Sequence, residues 1–320
     1  MPAVELAGLP NPLLAVVGPT GSGKSDLALA LAAEFGGEIV NFDSVQLYRG
    51  FDIGSAKLPA EERRGIPHHL LDIAEPHAEV SAGEYARLAT DTIKEITSRG
   101  KLPVLAGGTG FYLRALLDGL SPAPARQRGL RERLLEAQQR RPNVLFRFLR
   151  RFDPPAAARI HRNDIQKLMR AVEMSIAANR PVTHIHATPG RGLSGHRILN
   201  IGLQPGRDLL SERLNQRTAW MFAHGLLEET QRLLNGGVSP ESRPMGSLGY
   251  RQAVAVLEGR LTVEEAITEC QARTRQYAKR QMTWFRSEKD VRWLHGFGTD
   301  PAIAAEAREW TRYWLSEAHC

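Results

Sequence analysis

Gly18-Pro19-Thr20-Gly21-Ser22-Gly23-Lys24-Ser25 fits the eight-residue pattern G-x-x-x-x-G-K-[ST], and its neighbours decide how it is read. The apolar run 13–17 leads into it and a helical pattern over 26–35 comes after it. A strand, a glycine turn and a helix in that order aim successive backbone N–H groups, and the positive end of the helix, at one anion. Lys24 adds a point charge, and the Ser25 hydroxyl is placed to ligate Mg²⁺. The stretch therefore reads as a polyphosphate site inside an α/β sheet.

Two further short runs rich in Val, Ile and Leu, 38–42 and 102–106, alternate with helical patterns and predict parallel strands; 197–203 and 291–295 can join the same sheet. Residues 121–181 contain no strand candidate. There, 126–141 reads as a helix stopped by Pro142, and Asn163 and Asp164 offer an N-cap to a helix that ends before Pro181. The expected fold is α/β, with a P-loop parallel-sheet core, helices on both faces and an all-helical insertion. The core takes 1–120 and 182–320, and the insertion takes 121–181. Beyond the insertion, helices are predicted over 208–234 with a break near Gly225, over 250–258, over 262–286 behind the capping box Thr262/Glu265, and from Asp300-Pro301 onward.

The chain has 320 residues, 42% hydrophobic and 24% charged, which excludes disorder as its main state. Two cysteines, Cys270 and Cys320, cannot build a disulfide framework. Glu5 and the prolines at 2, 10 and 12 stand where a signal peptide needs a basic start and an unbroken apolar run, and no stretch reaches membrane-span length. A cytoplasmic protein is expected. Net charge is +7 overall, yet residues 119–180 alone hold 14 basic and 5 acidic side chains, net +9. Such a local Arg excess is either the footprint of a phosphate-rich partner or a solvated face.

In an open parallel sheet, ligands sit beyond the carboxyl ends of the strands. Asp43-Ser44 and Gly107-Gly108-Thr109-Gly110 lie just past two such ends. A carboxylate beside a phosphate site is costly unless it binds metal or takes a proton, so Asp43 reads as a general base or, alternatively, as an N-cap. The four-residue glycine stretch permits close approach of a ligand. An ordinary ATPase also wants an acidic residue ending a buried strand; 102–106 runs into Gly107 instead, and the other candidate, 38–42, leads to Asp43 unusually soon after the loop. His184-Ile185-His186 lacks nearby cysteines and is set aside as a metal site, and His68-His69 reads as a polar stretch after Pro67.

Taken as an ordered set, several separated stretches resemble the tRNA dimethylallyltransferase (isopentenyltransferase) family: 18–25, 43–57, 107–113, 159–164 running into Arg170-Ala171, 248–252 and 276–286. The resemblance implies that the phosphate loop holds the diphosphate of dimethylallyl diphosphate with Mg²⁺ at Ser25. It implies transfer of the dimethylallyl group to the exocyclic amine of the adenosine 3′ of the anticodon, in tRNAs reading codons that begin with U. Lys24, Asp43 as base, Thr109 near the bridging oxygen and Arg217 near the reaction centre would carry the chemistry, with Arg213 one turn earlier as the alternative to Arg217. Implied tRNA contacts are Asp43, Ser44, Val45, Gln46 and Thr109, then Arg131, Gln166, Lys167 and Arg170. Leu248, Gly249, Tyr250, Arg251 and Gln252 come next, near the flipped base, and Lys279, Arg280, Trp284 and Arg286 complete the set. The partners are then the tRNA anticodon arm and the prenyl donor, with no membrane and a monomeric enzyme. Ser25, Arg162 and Phe111 stand where the family favours Thr, Pro and Leu.

Arg275, Lys279 and Arg286 recur at helical spacing with Tyr277, Trp284 and Phe285 between them, which suits phosphate contact and base stacking or, for Phe285, core packing. Arg126, Arg128 and Arg133 extend the expected RNA surface in the insertion. The competing functions are a small-molecule P-loop kinase with the Arg-rich segment as lid, and a non-enzymatic RNA-binding nucleotide switch. Both require nucleoside triphosphate binding, and neither accounts for 277–286.

Overall fold

Every residue of Leu13–Val17 is buried, so strand β1 (Pro12–Val17) is apolar on both faces, as a strand covered by helices on either side must be. The computed structural model describes residues 11–317. Glu5, the prolines at 2 and 10, and Cys320 lie outside the described residues. After β1 come α1 (Lys24–Phe35), β2 (Gly37–Asn41), β3 (His68–His69), α2 (Ala82–Ser98), β4 (Leu102–Ala106) and α3 (Gly110–Leu117). Five helices are next: α4 (Arg128–Arg140), α5 (Val144–Phe152), α6 (Pro154–Arg159), α7 (Ile165–Ala178) and α8 (Val182–Ala187). The chain then returns through β5 (Arg197–Leu203), α9 (Arg207–Ala223), α10 (Leu226–Asn235), α11 (Tyr250–Leu257), α12 (Val263–Arg286), β6 (Val291–Leu294) and α13 (Pro301–Ser316).

All six strands are parallel, in the order β3-β2-β4-β1-β5-β6. The register pairs Val16 with Ala106 and Asn41 with Ala106, so β1, β2 and β4 end level with one another. The phosphate loop, Asp43 and Gly107, each just past the end of one of these strands, are thereby gathered at one edge. On one face, Leu27 and Leu31 of α1 and Trp314 of α13 pack on Leu14, Val16, Val104 and Ile201.

His68-His69 is a correction to the sequence reading: it forms the edge strand, paired with Ile39 and Val40. The reason is a buried acid. Glu38, 7% exposed, receives His69 Nε2 at 2.6 Å and Arg99 Nη2 at 2.7 Å. Burial alone would raise the Glu38 carboxyl, and its bonds to Arg99 and His69 outweigh that and hold it below the usual range.

The chain divides into two compact units, 117–194 and the remainder. The smaller unit is built on Leu145, Leu149, Leu168 and Val172, and it runs past Pro181 because Val182 and Ile185 of α8 join that core. Asp153 caps α6 through the Ala156 N–H and also accepts from Thr183, tying α6 to α8. Among the described residues, no helix is long and apolar enough to cross a membrane.

Candidate active site

Gly23 takes a left-handed conformation (φ 81°) immediately before α1, which turns the loop back so that Lys24 and Ser25 open the helix. The loop rests on a second turn: Gly298 N–H donates to the Ser22 carbonyl at 2.8 Å, and a Cβ on Gly23 would stand 2.9 Å from that same nitrogen. Lys24 Nζ donates to the Pro19 carbonyl at 2.9 Å. Burial lowers the Lys24 ammonium to about 8, with Asp43 pulling it up and Arg217 pushing it further down.

Of the two candidate arginines on α9, Arg217 reaches the loop, donating from Nη2 to Thr20 Oγ1 at 2.7 Å. Arg213 points to the supporting turn instead, bonding Thr299 Oγ1 at 3.2 Å and stacking on Phe297. Burial first, and Arg213 second, hold the Arg217 guanidinium below its ordinary range. Lys24 and Arg217 therefore form a partly desolvated cationic pair beside Asp43.

Asp43 caps a turn with one oxygen and lines the cavities at the phosphate loop. Its Oδ1 accepts the Val45 N–H at 2.9 Å and the Gln46 N–H at 3.4 Å, capping the turn that succeeds β2. Its other oxygen lies beside Gly108, facing the site. Thr109 is engaged with Ser44 twice, accepting its N–H at 3.0 Å and donating to its hydroxyl at 3.2 Å. The Thr109 proton is thus directed at Ser44 in this geometry, not toward the phosphate loop.

The glycines after β4 make room for the protein's own side chains, while Gly107 and Gly108 also line the cavity at the phosphate loop. A Cβ on Gly107 would strike Phe42, one on Gly108 would lie 2.5 Å from Gln281 Nε2, and one on Gly110 would collide with the Trp284 indole. They admit side chains of the protein itself, above all those of α12. Trp284 is thereby packed on Gly110, with Arg114 stacked 4.2 Å above its ring and Phe111 at its edge. Phe285 is fully buried and belongs to the core.

Two cavities meet at this edge. One of about 250 Å³ is lined by Lys24, Ser25, Arg213 and Arg217 together with Asp43 and Gln46. The other, about 420 Å³, shares Thr20, Asp43, Ser55 and Arg217 with it and continues along Met221, Phe222, Leu226, Tyr277 and Arg280. A cationic compartment thus adjoins a mixed apolar and polar one, and Asp43 lines both. Burial, with Asp43 adding to it, keeps the Tyr277 phenol protonated far above neutrality.

Tyr250 and Gln252 require correction as direct tRNA contacts, because they are 0% and 1% exposed. Tyr250 packs on Phe51 with ring centres 4.8 Å apart and donates to Glu229 Oε1; Gln252 accepts the Gly249 N–H. Glu229, on α10 and 3% exposed, also accepts the Ile53 N–H at 2.9 Å. Sequence reasoning passed over it, since an acid in the first turn of a helix reads as ordinary dipole complementation. Here it fixes the loop that brings Gly54 and Ser55 to the cavity wall. Glu229→Gln puts an amide donor against backbone donors, and a loss of about 2 kcal/mol in unfolding free energy, read from urea melts, is the expected result. An unchanged midpoint would show that the carboxylate does not hold the loop.

Leu248 and Arg251 remain on the cavity wall, and Arg280 lies there exposed beside Tyr277. Lys279 and Arg286 are exposed on α12, whereas Arg275 is taken by Asn215. In the helical unit, Gln166 and Lys167 are at the surface, the latter paired with Asp164. Arg131 and Arg170 depart from the expected open RNA surface: both face Glu173, which is fully buried, at 3.8 and 3.0 Å, and Arg170 also bonds the Pro124 carbonyl. Arg128 pairs with Glu132. Among the described residues, no group of three or more His, Cys, Asp or Glu is placed to hold a metal ion.

A model of the IPP transferase family matches residues 46–288. A tRNA dimethylallyltransferase of Solibacter usitatus is 52% identical over 306 residues, covering 96% of this chain and all of the relative. One from Koribacter versatilis is 54% identical, covering 93% and 98%. Among solved structures, the full-length tRNA isopentenylpyrophosphate transferase of Bacillus halodurans superimposes with a TM-score of 0.72 at 35% identity, covering 97% of this chain and 98% of its own. A eukaryotic dimethylallyltransferase acting on tRNA gives 0.78 at 26% identity, covering 96% and 80%.

Proposed function

The chain belongs to the IPP transferase family, and from that premise we propose that it is a tRNA dimethylallyltransferase whose chemistry runs where the two cavities meet at Asp43. It transfers a dimethylallyl group from dimethylallyl diphosphate to the exocyclic amine of the adenosine 3′ of the anticodon. As the new nitrogen–carbon bond forms, the allylic carbon–oxygen bond breaks and its electron pair leaves on diphosphate. The amine proton goes to Asp43.

The observation that carries this reading is the pairing of compartments. Lys24 and Arg217 gather positive charge where negative charge grows on the leaving diphosphate, and they are already desolvated there. Thr20 Oγ1 holds Arg217 in place. The adjoining cavity, with Met221 and Phe222 on one side and Arg280 on another, suits an apolar prenyl group and a base drawn out of its stack. Thr109 orients Ser44, and its assigned contact with the leaving oxygen requires its proton to turn from that partner. Ser25 is exposed at the rim of the cationic cavity, and its hydroxyl is the group that would hold a Mg²⁺ there. When bound, that ion adds charge neutralisation at the leaving group.

The strand beside β1, where a P-loop kinase would carry its second acid, ends at Ala106 and runs into Gly107, which disfavours the kinase reading. tRNA contacts are assigned to Arg251, Lys279, Arg280 and Arg286, and separately to the exposed basic residues of the helical unit; we place the enzyme in the cytoplasm as a monomer. Incubation with labelled dimethylallyl diphosphate and unmodified tRNA, beside an ATP-turnover assay, tests the proposal. Label in the adenosine supports it, and nucleotide hydrolysis without prenyl transfer overturns it.

Lys24 gives a pH signature. With its ammonium lowered to about 8, the free enzyme loses this charge as pH rises through that value, while the bound anion favours the protonated form. Donor affinity should therefore weaken above pH 8, by up to about tenfold per pH unit on linkage grounds. Calorimetry from pH 7 to 9.5 reads it directly. Lys24→Ala should bind the donor weakly with no such slope, and both Lys24→Ala and Ser25→Ala should leave tRNA affinity nearly intact.

A further inference from the structure

Gln281 sits on α12 at 5% exposure, yet both ends of its amide are spoken for at the catalytic edge. Its Oε1 accepts the Thr20 N–H at 2.8 Å, and its Nε2 donates to the Gly108 carbonyl at 2.7 Å. The two partners belong to the phosphate loop and to the turn just past β4, and the same Thr20 holds Arg217 through its hydroxyl. One amide therefore fixes the backbone of the loop, the rim after β4 and, through Thr20, the position of the arginine.

Such a bridge needs room. Gly108 supplies it, since a Cβ there would lie 2.5 Å from Gln281 Nε2. The neighbour Arg280 is exposed on the larger cavity, while Gln281 faces inward, so adjacent residues of one helix address the solvent side and the phosphate side.

From this geometry we infer that Gln281 is a positioning residue of the diphosphate site, setting the phosphate loop without touching RNA. The inference rests on the phosphate loop being the diphosphate site. It assigns the Thr20 N–H to structure, leaving the later N–H groups of the loop, Lys24 and Arg217 to meet the anion. It also makes α12 the element that carries tRNA-facing side chains and loop alignment together.

The test uses the thiolo analogue of dimethylallyl diphosphate, which binds without reacting, and an unmodified anticodon stem-loop. Gln281→Met keeps the length of the side chain and removes both hydrogen bonds. The expected result is a rise of at least tenfold in the Kd of the analogue, with stem-loop Kd within twofold of wild type. In turnover, the KM for the donor should rise by the same factor. An analogue Kd unchanged from wild type, or a loss of stem-loop binding as large as the loss of analogue binding, overturns the inference.

Gly108→Ala reaches the same bridge from its other side, pushing Nε2 away without altering α12, and should reproduce the selective loss of analogue affinity. It decides the matter if Gln281→Met does not fold; wild-type analogue affinity in Gly108→Ala then overturns the inference. A wild-type protein that fails to bind the analogue at all would remove the diphosphate reading itself, whereas normal wild-type binding with an indifferent Gln281→Met removes only the role of Gln281.

Discussion

Asp43→Asn should lower the rate of prenyl transfer by roughly 10² to 10⁴, the usual contribution of a positioned base, while donor binding stays equal or becomes tighter. The sign of the second effect comes from charge. Asp43 lines the cationic cavity, so removing its negative charge takes a repulsive neighbour away from an incoming diphosphate. Asn is the informative substitution because its oxygen can still cap the Val45 and Gln46 N–H groups through the position of Oδ1. Asp43→Ala loses base and cap together, and any further drop relative to Asp43→Asn measures the turn. Single-turnover rates with saturating donor give the chemistry, and calorimetry with the thiolo analogue gives the binding. Loss of Mg²⁺-dependent analogue binding in Asp43→Asn would instead make Asp43 a metal ligand.

The phosphate loop is legible in the sequence because its chemistry is local: glycines, a lysine and a hydroxyl within eight residues, between an apolar run and a helix. The strands read correctly for a similar reason, since burial on both faces demands unbroken apolar runs such as Leu13–Val17. Gln281 and Glu229 carry no local mark. Gln281 acts 261 residues away from Thr20, and Glu229 acts 176 residues away from Ile53. Each looks like an ordinary polar residue on a helix until the sheet brings its partner near. Gly107, Gly108 and Gly110 are visible as a cluster, but a sequence does not say that Phe42, Gln281 and Trp284 pack on them while Gly107 and Gly108 also line the cavity.

β3 escapes a sequence reading because two residues hold no periodicity; the buried charge on Glu38 is what draws His69 into the sheet. The choice between Arg213 and Arg217 also requires three dimensions. They stand one helical turn apart with the same chemistry, and only Arg217 falls level with Thr20.

The basic unit calls for a sharper experiment than its charge alone suggests. Net +9 over 119–180 predicts that tRNA affinity falls steeply with salt, each phosphate contact adding roughly 0.7 to 0.9 to the log–log slope through counterion release. Arg131 and Arg170 are unsuitable probes, since Glu173 is fully buried against them and reversing their charge would strand it, at a cost of about 3 to 5 kcal/mol to the unit itself. Arg147, Arg150 and Arg151 on α5 are better: all three are exposed and form no ion pair among the described residues, while Leu145 and Leu149 of the same helix hold the core. Reversing them together to Glu should leave the melting temperature near wild type and flatten the salt slope by roughly two to three units. Affinity for the prenyl donor, bound at the phosphate loop, should not change. Filter binding over a salt series supplies the slope. If it stays at the wild-type value, α5 is a solvated face, and the phosphate contacts must be sought on Lys279, Arg280 and Arg286, where the same triple reversal can be repeated.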